Sequence, residues 1–124
     1  MMKPTVSIDL VSLDLDTDEV VLYLVEDGPW PTDEADWREC LKELECRVLD
    51  AADVAIDGGV AKSFEATHGK SVRIQIDSSN ELPEQVRSLA GDLEAYVHQP
   101  DNEYGPAIQA SETIAGLRIV AGQP

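Results

Sequence analysis

An unbroken apolar run, Val20 to Val25, constrains the fold of this chain more than any other feature of its sequence. Consecutive apolar residues without alternation are typical of a strand that is covered on both faces, as the central strands of parallel sheets are. Turn-forming residues 16–18 precede the run, and before them residues 6–15 alternate with a change of phase near Leu10. We therefore expect a β-hairpin whose first strand carries a bulge or bend.

The apolar period becomes helical after Trp30. Apolar residues from Trp37 to Ala55 fall at helical spacing, with Thr32 or Asp33 as the N-cap. The Gly58-Gly59 pair is expected to end or interrupt this helix, and the pattern leaves open whether the helix resumes over residues 60–64.

A second strand–helix unit follows. Residues 72–77 alternate between apolar and polar side chains, which predicts a strand with one apolar and one polar face. Pro83 suits the first turn of a helix whose apolar stripe runs from Val86 to Val97. Residues 99–111 are rich in Pro, Gly and Asn and are expected to form a loop, and Ile114–Val120 is the last strand.

The predicted order is β-β-α-β-α-β in a single domain of residues 1–124, with flexible ends at residues 1–5 and 121–124. Right-handed β-α-β crossovers make the last three strands parallel and place both helices on one face of the sheet. The expected fold is a mixed α+β or α/β two-layer sandwich with four strands. Its other face is expected to be uncovered and half apolar, with Arg73 and Gln75 on strand three and Val21, Tyr23 and Val25, or their neighbours, on strand two. Such a face is a candidate homodimer surface.

Acidic residues dominate the charge of the chain. There are 25 acidic and 9 basic side chains, for a formal net charge of −16. Nucleic acid and anionic membranes are therefore poor partners, because both are bound by clustered Lys and Arg. A basic protein or a divalent cation would be attracted, especially to the first half of the chain. The alternative is that the acidic side chains only keep the protein soluble.

Cysteine use and the N-terminal sequence indicate a cytoplasmic chain. Cys40 and Cys46 are six residues apart in a helical pattern, so they point in different directions and cannot bridge each other. A reduced, intracellular protein is expected. The first residues lack the apolar core of a signal peptide, and no apolar run reaches membrane-spanning length.

Two motifs resemble those of a known family. The segment from Val20 ends in Glu26-Asp27-Gly28-Pro29-Trp30, and a later strand reads Val-Arg-Ile-Gln-Ile-Asp over residues 72–77. Residues 6–77 thereby resemble a family of small, acidic, uncharacterised bacterial proteins, in which an aliphatic strand ends in Glu-Asp-x-Pro-Trp. The resemblance implies no activity. This chain departs from the family at Gly28, where relatives are expected to carry a basic residue.

A candidate site lies where the two parallel strands end. Ligands of open parallel sheets bind beyond the carboxyl ends of the strands. That edge would bring together Glu26, Asp27, Asp77 and Ser78, and Trp30 could close one side. The three carboxylates could bind a hard cation such as Mg²⁺. In the alternative interpretation these residues form turns and caps, and Trp30 packs on a helix or on another tryptophan.

Two other motifs are weaker. Asp14-x-Asp16-x-Asp18 lacks the Gly and Glu that a calcium-binding loop needs, so a hairpin turn is favoured. Glu94 and His98 are four residues apart on a helix, which could supply two metal ligands. The same spacing is typical of an ion pair near a helix C-terminus.

The sequence thus contains no recognisable catalytic set, and no cofactor is expected. The leading hypothesis is a non-enzymatic, acidic protein-interaction module, homodimeric and of the immunity, antitoxin or adaptor type, with a basic partner protein. The competing hypothesis is a metal-assisted enzyme or small-ligand binder that uses Glu26, Asp27 and Asp77.

Overall fold

The computed structural model describes residues 10–26, 29–59, 68–78 and 81–122. Along these residues run β1 (Leu10–Asp14), β2 (Glu19–Val25), α1 (Glu34–Ile56), β3 (Lys70–Asp77), α2 (Glu84–Val97), α3 (Tyr104–Ala110) and β4 (Ile114–Ala121). The sheet has the order β1-β2-β3-β4. Strand β1 is antiparallel to β2, whereas β2, β3 and β4 are parallel. The predicted mixed sheet and the predicted direction of its strands are confirmed.

The β1–β2 hairpin is closed by a turn over residues 15–18. The Asp14 carboxylate accepts hydrogen bonds from the backbone amides of Asp16, at 3.0 Å, and Thr17, at 3.4 Å. Asp18 has φ 57°, a left-handed conformation that Asp tolerates better than most residues. The expected extension of the first strand to Leu15 is wrong, because Leu15 lies in the turn and is 83% exposed. Residues 6–9 of that predicted strand lie outside the described residues.

Helix α1 begins and ends where the sequence signals predict. Asp33 is the N-cap, and its side chain accepts a hydrogen bond from the amide of Asp36 at 2.8 Å. After Ile56 the chain turns at Gly58, whose φ of 86° suits a residue without a side chain. The possible resumption over residues 60–64 lies outside the part of the chain that is described.

The core lies between one face of the sheet and helices α1 and α2. Strands β2 and β3 supply its centre, since Leu22, Leu24, Ile74 and Ile76 are all fully buried. The helices cover this face with Leu44, Val48, Ala51, Ala52 and Ala55 from α1 and Val86, Ala90, Leu93 and Val97 from α2. Both helices therefore pack on one face, as right-handed crossovers require.

The opposite face of the sheet differs from the expectation. Register places Val21, Arg73 and Arg118 side by side on that face. Val21 and Gln75 are fully buried, and Arg73 is only 3% exposed. The expectation of an uncovered face is therefore wrong for Val21, Arg73 and Gln75, whereas Tyr23 is half-buried and Val25 is 40% exposed. The apolar surface that suggested a homodimer interface on this face is thus smaller than expected. Alternation shows which side a residue faces, but it does not show what covers that side.

The last third of the chain contains a helix that the sequence pattern did not predict. Residues 99–111 were expected to be a loop, but α3 spans Tyr104–Ala110. Gly105 and Pro106 lie in its first turn, where a backbone N–H has no partner within the helix and proline costs little. Strand β4 then follows as predicted.

Among the described residues, no helix combines the length and apolar character needed to cross a membrane.

Candidate functional site

The predicted site residues meet at the carboxyl ends of β2 and β3. Val25 and Asp77 are register partners in the parallel pair, and the amide of Glu26 donates to the Asp77 carbonyl at 2.9 Å. The carboxyl ends of β2 and β3 therefore bring together Glu26, Asp77 and Ser78, as the topology predicts. Asp27 lies outside the described residues.

The carboxylates at this edge already have partners. Glu26 forms an ion pair with Arg47 of α1, and both side chains are partly buried. The Asp77 carboxylate accepts a hydrogen bond from the amide of Ser78 at 3.0 Å, as a turn residue does. Across residues 10–26, 29–59, 68–78 and 81–122, three or more potential metal ligands do not come together anywhere. The described geometry thus gives a divalent cation no specific support at this edge.

Trp30 lies beside the same edge but packs on α1. Its ring stacks on that of Trp37, with the ring centres 6.0 Å apart and the planes inclined by 7°. This is the packing alternative that the sequence left open. The Trp30 indole N–H is buried and has no hydrogen-bond partner in the part of the chain that is described.

Cys40 lies in α1 near these residues, and its surroundings disfavour the thiolate form. Burial raises the pKa of the Cys40 thiol, and the nearby carboxylates of Glu26 and Glu43 raise it further. Because the thiolate is the nucleophilic form, this environment does not suit a catalytic cysteine.

A buried ionic network on the opposite face of the sheet was not predicted from the sequence. Arg118 donates to both oxygens of the Glu19 carboxylate, at 2.6 and 2.7 Å. Arg73 donates to Glu19 at 2.8 Å, to Asp14 at 3.1 Å and to the Gln75 side-chain oxygen at 3.1 Å. Two carboxylates thus meet two guanidinium groups, and the network is electrically balanced.

The protonation states of the network follow from these bonds. The hydrogen bonds from Arg118, with the charges of both arginines, lower the pKa of Glu19 to about 2. The hydrogen bond from Arg73 lowers the pKa of Asp14, and that to Glu19 raises the pKa of Arg118. Both carboxylates therefore remain charged at neutral pH. The sequence signal was a polar residue at every second position of β3, which is equally typical of a solvent-facing strand.

Glu94 of α2 and His98, the C-cap residue of that helix, bond to backbone groups of β4. The Glu94 carboxylate accepts the amide of Ile119 at 2.8 Å, and the His98 Nε2 atom bonds the carbonyl of Leu117 at 2.8 Å. The two side chains are also 3.4 Å apart. In this arrangement the pair occupies backbone groups that an edge strand would otherwise offer to another strand.

A groove between α1 and α2 was also not predicted. The α1–α2 groove is defined by Glu45, Leu49, Leu89, Asp92, Leu93, Tyr96 and Gln99, and its volume is about 560 Å³. The sequence signal would have been Leu49 and Tyr96, two large apolar residues that lie off the buried stripes of their helices. Their position indicates apolar surface outside the core.

One end of this groove lies near α3. Tyr96 contacts the ring of Tyr104, with the ring centres 5.7 Å apart. The Tyr104 hydroxyl lies near the carboxylate of Asp53 of α1. Burial and this neighbouring carboxylate raise the pKa of Tyr104 well above its usual value, while burial raises the pKa of Asp53. This contact joins α3 to α1.

Comparison of the chain with protein-family models, curated proteins and solved structures finds no match. The resemblance of residues 6–77 to a bacterial family therefore stays a prediction.

Proposed function

We propose that this chain is a non-enzymatic protein-interaction module whose acidic surface binds a basic partner protein, as immunity proteins, antitoxins and adaptors do. The observation that supports it is the unbalanced charge of the helical layer. Helix α1 carries seven acidic and three basic residues, and α2 carries three acidic residues and one basic residue. Such a surface attracts a cationic partner and accelerates its association.

The basic residues of the chain do little to offset this charge at the surface. Of the seven Lys and Arg residues in the described ranges, at least five are in ion pairs with acidic residues of the same chain. These five are Arg38, Arg47, Lys70, Arg73 and Arg118. Most acidic residues of α1, in contrast, are exposed. The acidic excess is therefore presented to solvent.

No specific observation favours the competing metal-assisted enzyme. Glu26 is paired with Arg47, and the Asp77 carboxylate accepts a hydrogen bond from a backbone amide.

We also propose that the protein occupies a reducing compartment, the cytoplasm, because Cys40 and Cys46 are free thiols.

Affinity purification of the tagged chain from its native host, with metal analysis of the same sample, tests the proposal. We expect a basic protein in stoichiometric amount, and reconstitution of the purified pair should give an affinity that falls as salt is raised. Glu43→Gln should weaken that affinity. Lys42→Gln removes a positive charge from the neighbouring exposed residue of α1 and should maintain or strengthen the affinity. A stoichiometric divalent metal with no bound protein would contradict the proposal.

We further propose that the chain forms a homodimer through an edge of the sheet. Strand β1 is an edge strand, and no described residue pairs with its outer side. Leu13, in this strand, is 37% exposed. The opposite edge, at β4, is occupied by Glu94 and His98. The β1 edge is thus the better surface for a second copy.

A further inference from the structure

We infer that the α1–α2 groove binds a basic amphipathic helix of the partner protein, an inference that rests on the proposed function and names the surface that performs it. The groove lies on the outer side of the helical layer, away from the sheet. It is long enough to be lined by two turns of α2, from Leu89 to Tyr96.

The floor of the groove is apolar and incompletely buried. Leu93 belongs to the core, but Leu49 and Leu89 pack against the core while remaining half-buried. Tyr96 is 38% exposed. A partner that covered these three side chains would remove apolar surface from water without disturbing the core.

The rim of the groove is acidic on both walls. Glu45 stands on α1 and Asp92 on α2, and none of the seven lining residues is basic. A second surface depression, lined by Ala35, Arg38, Glu39 and Lys42, has a volume of about 330 Å³ and contains two basic residues. Charge therefore distinguishes these two depressions: of the two, the α1–α2 groove is the one that combines an apolar floor with an acidic rim.

These features select a helix with a basic polar face. A second copy of this chain would bring another net charge of −16 to an acidic rim. An added strand needs free backbone groups, whereas α1 and α2 offer side chains here because their backbone groups are bonded within the helices. A helix with apolar residues at positions i, i+3, i+4 and i+7 and with Lys or Arg on its flanks satisfies both the floor and the rim.

A pair of synthetic peptides tests this inference. The first is a fluorescent Leu/Lys peptide of about 18 residues, or five helical turns, with leucines at helical spacing. The second has the same composition in strict alternation, so it has equal charge without an apolar helical stripe. In fluorescence anisotropy titrations we expect the chain to bind the first peptide about tenfold more tightly than the second.

Two matched double variants then locate the binding surface. Glu45→Lys with Asp92→Lys reverses the rim, and Glu39→Lys with Glu43→Lys makes the same change in charge elsewhere on α1. We expect the rim variant to bind the helical peptide about tenfold more weakly than the control variant does. Tyr96→Ala, which changes a side chain outside the core, should also weaken binding, and far-UV circular dichroism checks that each variant folds.

The outcomes separate this inference from the proposed function. Equal affinity of the wild-type chain for both peptides, or equal weakening by both double variants, overturns the groove as the binding site. If a basic partner from the native host still binds the chain in that case, the proposed function stands with a different surface. If neither the peptides nor any basic protein binds, the proposed function fails as well.

Discussion

Glu19 is the residue on which the buried ionic network depends. Its carboxylate is held by two guanidinium groups and is only 7% exposed. Removal of its charge would leave the buried Arg73 guanidinium and the half-exposed Arg118 guanidinium partly uncompensated, and the buried group makes this costlier than the loss of a surface ion pair.

The first prediction concerns this carboxylate. Glu19→Gln should lower the free energy of unfolding by about 3 kcal/mol at neutral pH, as measured by urea denaturation. The exposed Lys70–Asp18 pair serves as the control, and Asp18→Asn should cost less than about 1 kcal/mol. Similar losses in the two variants would show that the network does not stabilise the fold.

The same residue makes stability depend on pH in a defined direction. The pKa of Glu19 is lowered in the folded protein, from an ordinary value of 4.5 to about 2. Its contribution is therefore complete above about pH 4.5 and is lost as the pH falls toward 2. In the Glu19→Gln variant, stability should fall less steeply across that window.

The sequence was sufficient to predict the local roles of residues, but not how deeply their side chains are buried or which distant residues they contact. The N-cap of α1 could be narrowed to Thr32 or Asp33, and Asp33 proves to be the cap, because capping depends on neighbours three residues away. Alternation also placed Arg73 and Gln75 correctly on the face opposite Ile74. Their burial could not be predicted, because the partners of Arg73 are distant in sequence, as Glu19 is by 54 residues.

At the scale of elements, two glycines with opposite surroundings test the helix packing. A side chain added at Gly91, on the exposed side of α2, would meet nothing within 4 Å. A side chain at Gly105, at the start of α3, would press on the Gln99 carbonyl oxygen and on the backbone of His98. The same substitution should therefore have opposite effects in the two helices.

Thermal unfolding of the two alanine variants checks this. Gly91→Ala should stabilise the protein by up to about 1 kcal/mol, since alanine restricts the unfolded chain and favours the helix. Gly105→Ala should destabilise it by about 1–3 kcal/mol, because α3 must move away from the turn that precedes it. A neutral Gly105→Ala variant would mean that α3 does not pack closely on residues 98–99.

The elements themselves were largely predictable, whereas their tertiary roles were not. Hydrophobic period and capping residues indicate β2, α1, β3 and α2. The contact between the side chains of Glu94 and His98, which their four-residue spacing predicts, is also present. Their action on β4 could not be predicted, since Leu117 lies 19 residues beyond His98 and Ile119 lies 25 residues beyond Glu94.

For the whole molecule, the handedness of the crossovers was a reliable guide. Right-handed crossovers predict the parallel β2-β3-β4 order and the helices on one face, and the structure confirms both. Leu49 and Tyr96 indicate apolar surface outside the core, but they do not predict a groove, because a groove depends on how far apart α1 and α2 pack at their outer surface.

The two edges of the sheet limit how copies of this chain can associate. Pairing of β1 with β4 of another copy would propagate into an open assembly, but Glu94 and His98 occupy backbone groups of β4. Pairing of β1 with β1 is symmetric and closes as a dimer. Strand β1 carries only one charged residue, Asp14, and Arg73 neutralises it. The edge strand thus lacks the charges that usually prevent strand pairing.

Sedimentation equilibrium should accordingly show a monomer–dimer equilibrium that shifts toward the dimer as salt is raised, because screening reduces the repulsion between two chains of net charge −16. Leu13→Lys should shift the equilibrium to the monomer, since it places a charge on the pairing strand. Leu15→Lys changes the net charge equally in the adjoining turn and should dimerise like the wild-type chain. Equal loss of the dimer in both variants would assign the effect to net charge. A wild-type chain that stays monomeric at high salt would exclude β1 pairing, because charge repulsion is screened under that condition and could not explain the missing dimer.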